Sequence, residues 1–169
     1  GMFLSLVMFG FIGGISGVVL GTEQLNVLMH NTIYVPGHFH GTVVAGTTLA
    51  FMAGTYMLVP LIFQRDILWP TIARLQPYFF GIGAAGISLF MMGAGTLGVP
   101  RRQWDIGLTD APHAFEFPAI AYLMMGLNGI SAILAAIGGA MFILVVVGSI
   151  LAGPQLAGTT AKLAFPLHN

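Results

Sequence analysis

Charged residues divide this chain into four long windows that contain no Asp, Glu, Lys or Arg. The windows cover residues 1–22, 24–64, 75–100 and 117–161. A membrane-spanning helix needs about 20 consecutive, mainly apolar residues, so each window holds at least one span. The last window has room for two spans, but no polar turn divides it, and we interpret it as one helix and a tail. The spacing therefore predicts an all-α integral membrane chain with four transmembrane helices.

The composition excludes a water-soluble domain. Only 6% of the 169 residues are charged, whereas soluble domains carry roughly 25%. The mean hydropathy is +0.93. The chain has no cysteine, so neither a disulfide framework nor a C-x-x-C-H haem attachment site is available. Its net charge is zero and it has no basic patch, which excludes nucleic acid as a partner.

We predict one membrane segment over residues 1–169. The expected elements are four helices and an interfacial tail, at about 2–21, 36–60, 77–97, 118–151 and 152–169. The residues between these helices are expected to form loops, the first of them with apolar content. Because the chain opens with Gly1-Met2 inside apolar sequence and lacks a basic leading region, we expect no signal peptide. This opening suggests a fragment, a processed product or one half of a split subunit.

Four spans place both termini on the same side of the membrane. That side holds Arg65, Arg74 and Lys162, and the opposite side holds Arg101 and Arg102. The positive-inside rule then makes the side of the termini cytoplasmic. The adjacent arginine pair on the outer side needs its own explanation, which anionic cofactor groups would supply.

The most informative stretch ends in His38-Phe39-His40 and directly follows Pro36-Gly37. A helix advances about 100° per residue, so the two histidines point about 200° apart and cannot bind one metal together. They can bind two metals on opposite sides of one helix, with Phe39 between them. Neutral imidazole is a common ligand of haem iron, and two haems flanking one helix would fit this geometry.

Both histidines lie near the start of their helix, so the metals are expected toward one membrane face, where Arg101 and Arg102 also fall. Haem propionates are carboxylates, for which arginine offers rigid bidentate donors. The alternative is that a histidine at a helix end is an interfacial polar residue and that the arginine pair is a headgroup anchor. Ionisable residues are costly within a membrane and usually serve a function there, so we favour cofactor binding over this alternative.

Three stretches in register resemble one family. They are His30 followed eight residues later by His-Phe-His, the loop Gly-Val-Pro-Arg-Arg at 98–102, and the run Gly-Gly-Ile-Ser-Gly at 13–17. Together they are similar to subunit I, the catalytic subunit, of haem-copper terminal oxidases of the cytochrome c oxidase type. The resemblance covers nearly the whole chain, as the C-terminal third of a core of roughly twelve helices.

The details resemble the B-type oxidases of bacteria and archaea. Mitochondrial-type members carry Asp at the positions of Asn26 and Asn31, the second as part of a magnesium site. The neutral residues here argue against a magnesium site, and Asn31 together with Pro36-Gly37 is typical of the B-type.

The resemblance implies roles for the histidine motif. His38 would be the proximal ligand of the high-spin haem, where oxygen is reduced, and His40 an axial ligand of the low-spin haem. Phe39 would lie between the haems, near the electron route. His30 would lie near the high-spin haem propionates and the exit region for protons or water.

The resemblance also implies groups that this chain does not supply. Arg101 and Arg102 would hold propionates, but the copper beside the high-spin haem needs three further histidines. The two histidines left, His113 and His168, lie in a loop and at the terminus, so the copper ligands are expected from the N-terminal part of subunit I. Other expected partners are subunit II with its electron-entry copper site, cytochrome c or a similar donor, and the lipid bilayer.

The assembled enzyme would reduce O2 to water in a respiratory chain and pump protons across a bacterial or archaeal plasma membrane. One alternative is the nitric oxide reductase branch of the same superfamily, since the discriminating metal ligands lie outside this chain. Others are a cytochrome b-type electron carrier, which needs histidines on two helices at matching depth, and a transporter bundle without a cofactor.

Overall fold

The computed structural model describes residues 1–102 and 116–156, and these are mainly helical. In chain order the helices are α1 (Met2–Gly21), α2 (Glu23–Met29), α3 (Tyr34–Phe63), α4 (Pro70–Thr96) and α5 (Ala119–Ala152). All but α2 are long and apolar enough to cross a membrane. The expected all-α membrane architecture with four transmembrane helices is therefore confirmed.

Two segments that we expected to be loops are partly helical. Residues 22–35 contain α2, which begins at Glu23, where a carboxylate suits the positive end of the helix dipole. The third span begins at Pro70 instead of residue 77, because a proline in the first turn has no N–H to lose. Pro77 lies inside this helix.

The backbone of α1 and α3 widens into π-helical turns at Met8–Gly14 and His40–Thr48. In the second of these, the hydroxyl groups of Thr47 and Thr48 donate to carbonyl oxygens five residues earlier, at 3.3 and 3.0 Å. The two π-helical segments pack against each other. Such turns are frequent at functional sites, and the second one begins at His40.

Helix α4 is the centre of the described bundle. In its most apolar window 50% of the residues are buried, compared with 17–22% in the other spans. Gly83 on α4 lies directly against Ala135 on α5, because small residues let helices approach closely in a membrane. The buried Ser88 hydroxyl donates to the Gly37 carbonyl oxygen at 2.6 Å. This bond fixes the start of α3 against α4.

Short antiparallel bridges join the connections at each membrane face. Thr32 pairs with Pro100 at the face where α3 begins, and Arg65 pairs with Gln155 at the other. The first bridge brings the loop after α4 against the helix start that carries the histidine motif. The four spans and these bridges thus place residues 98–102 beside residues 31–40.

Candidate functional site

The imidazole of His38 faces α1, where its Nδ1 lies 2.8 Å from Ser16 Oγ. Ser16 is buried, and its hydroxyl also lies 2.5 Å from the Ile12 carbonyl oxygen. Because a carbonyl can only accept, the hydroxyl donates to Ile12, and its oxygen accepts the proton of His38 Nδ1. This tautomer leaves Nε2 with a free lone pair, which is the form of histidine that binds a metal.

A glycine gives the His38 ring its place beside α1. A Cβ atom at Gly17 would lie 3.2 Å from His38 Cε1, closer than ordinary van der Waals contact. The ring therefore sits over the backbone of α1, where a side chain would displace it.

The imidazole of His40 is engaged on another side of α3. Its Nδ1 lies 2.8 Å from the Pro36 carbonyl oxygen, so this nitrogen carries the proton, and Nε2 is unprotonated and has no hydrogen-bond partner among the described residues. His40 lines a cavity of about 430 Å³ that also contacts α4, α5 and the loop after α4. The two histidines thus contact different elements, as a separation of about 200° predicts.

The cavity beside His40 has a mainly apolar wall and a cationic edge. Arg101 and Arg102 line it together with His40. The apolar lining includes Ile33, Val35, Met91, Val99, Pro100 and Met125. A free imidazole nitrogen, an apolar wall and two guanidinium groups fit an apolar macrocycle that carries a metal and carboxylates. The donor set of the cavity is therefore compatible with haem.

Phe39 connects the two histidines. Its ring centroid lies 5.6 Å from that of His38, with the ring planes inclined by 49°. It also lines the cavity of His40, and 56% of it is exposed. The Phe39 side chain thus contacts the His38 ring and also borders the cavity of His40.

The loop that carries the arginine pair is held by the segment before α3. The Ile33 N–H donates to the Val99 carbonyl oxygen at 2.9 Å, and the Arg101 N–H donates to the Asn31 carbonyl oxygen at 3.0 Å. These bonds extend the bridge between Thr32 and Pro100. The sequence predicted that the arginines and histidines share a membrane face, and the structure places both arginines in one cavity with His40.

The structure does not bring every expected residue to this cavity. His30 is exposed at the end of α2, and its side chain is not part of the described cavity lining. His113 and His168 lie outside the described residues. Within the described ranges no group of three or more His, Asp or Glu side chains converges on a metal position.

Sequence reasoning missed Ser16 as a partner of His38 and Asn31 as a partner of Arg101. Ser16 is the one polar side chain in the run Gly-Gly-Ile-Ser-Gly, and a polar residue within an apolar span was a signal for a buried contact. The sequence marked Asn31 only as a neutral residue at a position where mitochondrial-type members carry Asp. The identity of its partner is a tertiary feature that spacing along the chain does not contain.

Comparison with known proteins agrees with this arrangement. Residues 2–141 match the family described as Cytochrome C and Quinol oxidase polypeptide I. This chain belongs to that family. The resemblance to haem-copper oxidase subunit I that the three sequence motifs predicted is thereby confirmed.

The subunit I segment is similar to subunit 1 of bacterial cytochrome c oxidases and of bacterial quinol oxidases. It is 34% identical to cytochrome c oxidase subunit 1 of Thermus thermophilus over 145 residues, which are 82% of this chain and 25% of the relative. It is 30% identical to quinol oxidase subunit 1 of Bacillus spizizenii over 121 residues, 69% of this chain and 18% of the relative. The segment thus spans about a quarter or less of these relatives.

A solved structure shows the same fold. The subunit I segment superposes on a chain of a heme-copper terminal oxidase dimer, determined by cryo-electron microscopy, with a TM-score of 0.79 and 35% sequence identity. The match covers 95% of the segment and 28% of that chain. The segment is therefore part of a multi-pass membrane protein of the haem-copper oxidase family.

Proposed function

We propose that this segment is the haem-binding part of the catalytic subunit of a terminal oxidase. The complete enzyme would reduce O2 to water with electrons from cytochrome c or a similar donor and would couple this reaction to proton translocation. The observation that carries the proposal is the pair of imidazoles on different sides of α3. In each of them Nδ1 makes a hydrogen bond, and Nε2 makes none within the part of the chain that the structure describes.

In this proposal His38 is the proximal ligand of the high-spin haem. Its hydrogen bond to Ser16 supports the role, because histidines that bind metals almost always donate their other N–H to a neighbouring acceptor. Such a bond fixes the ring and raises the basicity of the ligand nitrogen. The glycine at position 17 leaves the ring room beside α1.

His40 is an axial ligand of the low-spin haem in the same proposal. The free Nε2 and the cavity that His40 shares with Arg101 and Arg102 support this role. The two guanidinium groups would bind propionates. Bound haem supplies reversible iron redox chemistry, while the chain positions the macrocycle and sets its electrostatic surroundings.

Phe39 would lie on or near the electron route between the haems. Its contact with the His38 ring and its position in the cavity of His40 support this placement. His30 would lie toward the high-spin haem propionates and the exit region for protons or water. Its position one residue before Asn31, at the same membrane face, supports this role.

The other components are proposed from the family. Copper, its ligands and the second axial histidine would come from the N-terminal part of subunit I, and a second subunit would carry the copper site where electrons enter. The bacterial relatives support a bacterial or archaeal plasma membrane as the location.

Metal analysis and an optical spectrum of the assembled complex test this function. We expect two haems for each copper of the oxygen-reducing centre, and bands of one high-spin and one low-spin haem in the reduced state. Non-haem iron in place of that copper would favour a nitric oxide reductase. A spectrum without haem bands would contradict the proposal.

A further inference from the structure

Arg101 is bound by Asn31 through both its main chain and its side chain. The Arg101 Nη2 donates to Asn31 Oδ1 at 2.7 Å, and the Arg101 N–H donates to the Asn31 carbonyl oxygen at 3.0 Å. A single residue therefore fixes both the backbone position and the direction of this guanidinium. Asn31 contacts Arg101 from outside the described lining of the cavity.

The position of Asn31 is itself fixed by its backbone. Its φ is 63°, in the left-handed region, which asparagine adopts more readily than most residues. This conformation turns the chain from the end of α2 into the bridge between Thr32 and Pro100. The acceptor oxygen is therefore held by a short, ordered connection.

The side chain of Asn31 is neutral. A carboxylate at this position would accept the same hydrogen bond, but it would also form an ion pair and offset much of the positive charge of Arg101. An amide holds the guanidinium without adding a negative charge beside the cavity. The residue type thus keeps the charge available to an anionic group in the cavity.

We infer that Asn31 is a positioning residue that fixes the guanidinium of Arg101 at the edge of the His40 cavity and preserves its charge for a carboxylate of the bound group. The inference rests on the proposed function, in which that group is the low-spin haem. A positive charge held near a haem stabilises the reduced form, which carries one more electron. Asn31 therefore contributes to the reduction potential of this haem without touching it.

A redox titration of the low-spin haem in the full-length oxidase tests this inference through Asn31→Gly. Glycine adopts a positive φ and keeps the main-chain bond, but it removes the oxygen that binds the guanidinium. The freed guanidinium can then turn toward solvent. We expect the reduction equilibrium constant to fall at least about threefold, which corresponds to roughly 30 mV at about 59 mV per tenfold change.

Combining the change with Arg101→Met separates positioning from general disturbance. If Asn31 acts through Arg101, Asn31→Gly causes no further shift in the Arg101→Met background. An equal shift in both backgrounds would overturn the inference, because Asn31 would then act by another route. An unchanged reduction potential in the Arg101→Met variant would overturn the inference as well. Arg101 would then have no effect on the potential through which Asn31 could act.

Asn31→Asp tests the importance of neutrality. It keeps the acceptor and adds a charge, so we expect the potential to fall by at least the same amount. Gln64→Glu is the matched control, because Gln64 is also an amide with a positive φ but lies at the other membrane face. A similar fall in this control would contradict a local role for Asn31.

The outcomes distinguish the inference from the proposed function. The inference alone would be overturned if the native oxidase shows a low-spin haem band and both variants, Asn31→Gly and Asn31→Asp, have the same low-spin haem reduction potential as the native protein. A native oxidase without a low-spin haem band would overturn both.

Discussion

The imidazole of His38 and the hydroxyl of Ser16 are 2.8 Å apart and belong to different transmembrane helices. The contact joins the start of α3 to a buried position of α1. Groups that accept a hydrogen bond from a metal-binding histidine fix its tautomer and its ring orientation. The contact therefore makes α1 a part of the proposed high-spin haem site.

Ser16→Ala removes the acceptor for His38 Nδ1. We expect the full-length oxidase to hold its high-spin haem about 10–100-fold less tightly, the usual cost of losing such a partner. The iron–histidine stretching band of the reduced protein should move to lower frequency, because the imidazole becomes a weaker donor. Resonance Raman spectroscopy and haem content measure these effects.

Ser149→Ala is the control for this change. Ser149 is also buried, and its hydroxyl donates to the Val145 carbonyl oxygen and accepts the Leu68 N–H near the other membrane face. This variant should leave the iron–histidine band in place. An unshifted band in Ser16→Ala would argue against a ligand role for His38 or against its bond to Ser16.

Gly17→Ala places a methyl group 3.2 Å from His38 Cε1. The ring must then move by a few tenths of an ångström, so the bands of the high-spin haem should shift while those of the low-spin haem stay. Gly21→Ala on the same helix is the control, because a Cβ atom there has no neighbour within 4 Å among the described residues. Equal optical spectra for both variants would contradict the close approach of the ring to α1.

Ser88→Ala removes the hydrogen bond that fixes Gly37 to α4. Hydrogen bonds between membrane helices contribute on the order of 0.6 kcal/mol and at most about 1.7 kcal/mol. The Gly37 carbonyl oxygen still accepts the His40 N–H in this variant, so no buried acceptor is left unpaired. We therefore expect a loss of about 1 kcal/mol in the free energy of unfolding, measured by thermal denaturation of the complex in detergent.

The comparison variant for Ser88 is Thr96→Ala. The Thr96 hydroxyl is exposed and donates to a carbonyl of its own helix, that of Gly93. It should cost less stability than Ser88→Ala. A Ser88→Ala complex as stable as the native one would show that the contact does not hold α3.

The spans and the arrangement of the histidines could be predicted from the sequence. Backbone groups in lipid must be paired, and an uncharged, mainly apolar window of about 20 residues can pair all of its own backbone groups only as a helix. The divergence of His38 and His40 follows from the pitch of the helix, and the structure places the two rings against different elements. Their haem ligation stays a prediction.

Other features depend on contacts between distant residues. The start of α4 at Pro70 was not predicted, because the residues between 60 and 77 were expected to form a loop. In the structure Pro77 lies inside the helix, which a membrane helix tolerates. The widening of α3 from His40 onward has no signal in residue type. The partners of His38 and Arg101 arise from the packing of α1 on α3 and from the bridge at residues 31–33, which local patterns do not specify.

The most direct test of separate haem ligation is the reduced-minus-oxidised optical spectrum of two single variants in the full-length oxidase. His38→Ala should remove the high-spin haem signal and leave much of the low-spin band, and His40→Ala should do the reverse. This result would mean that each imidazole binds its own iron on its own side of α3. Equal loss of both bands in both variants, or two native spectra, would contradict the account.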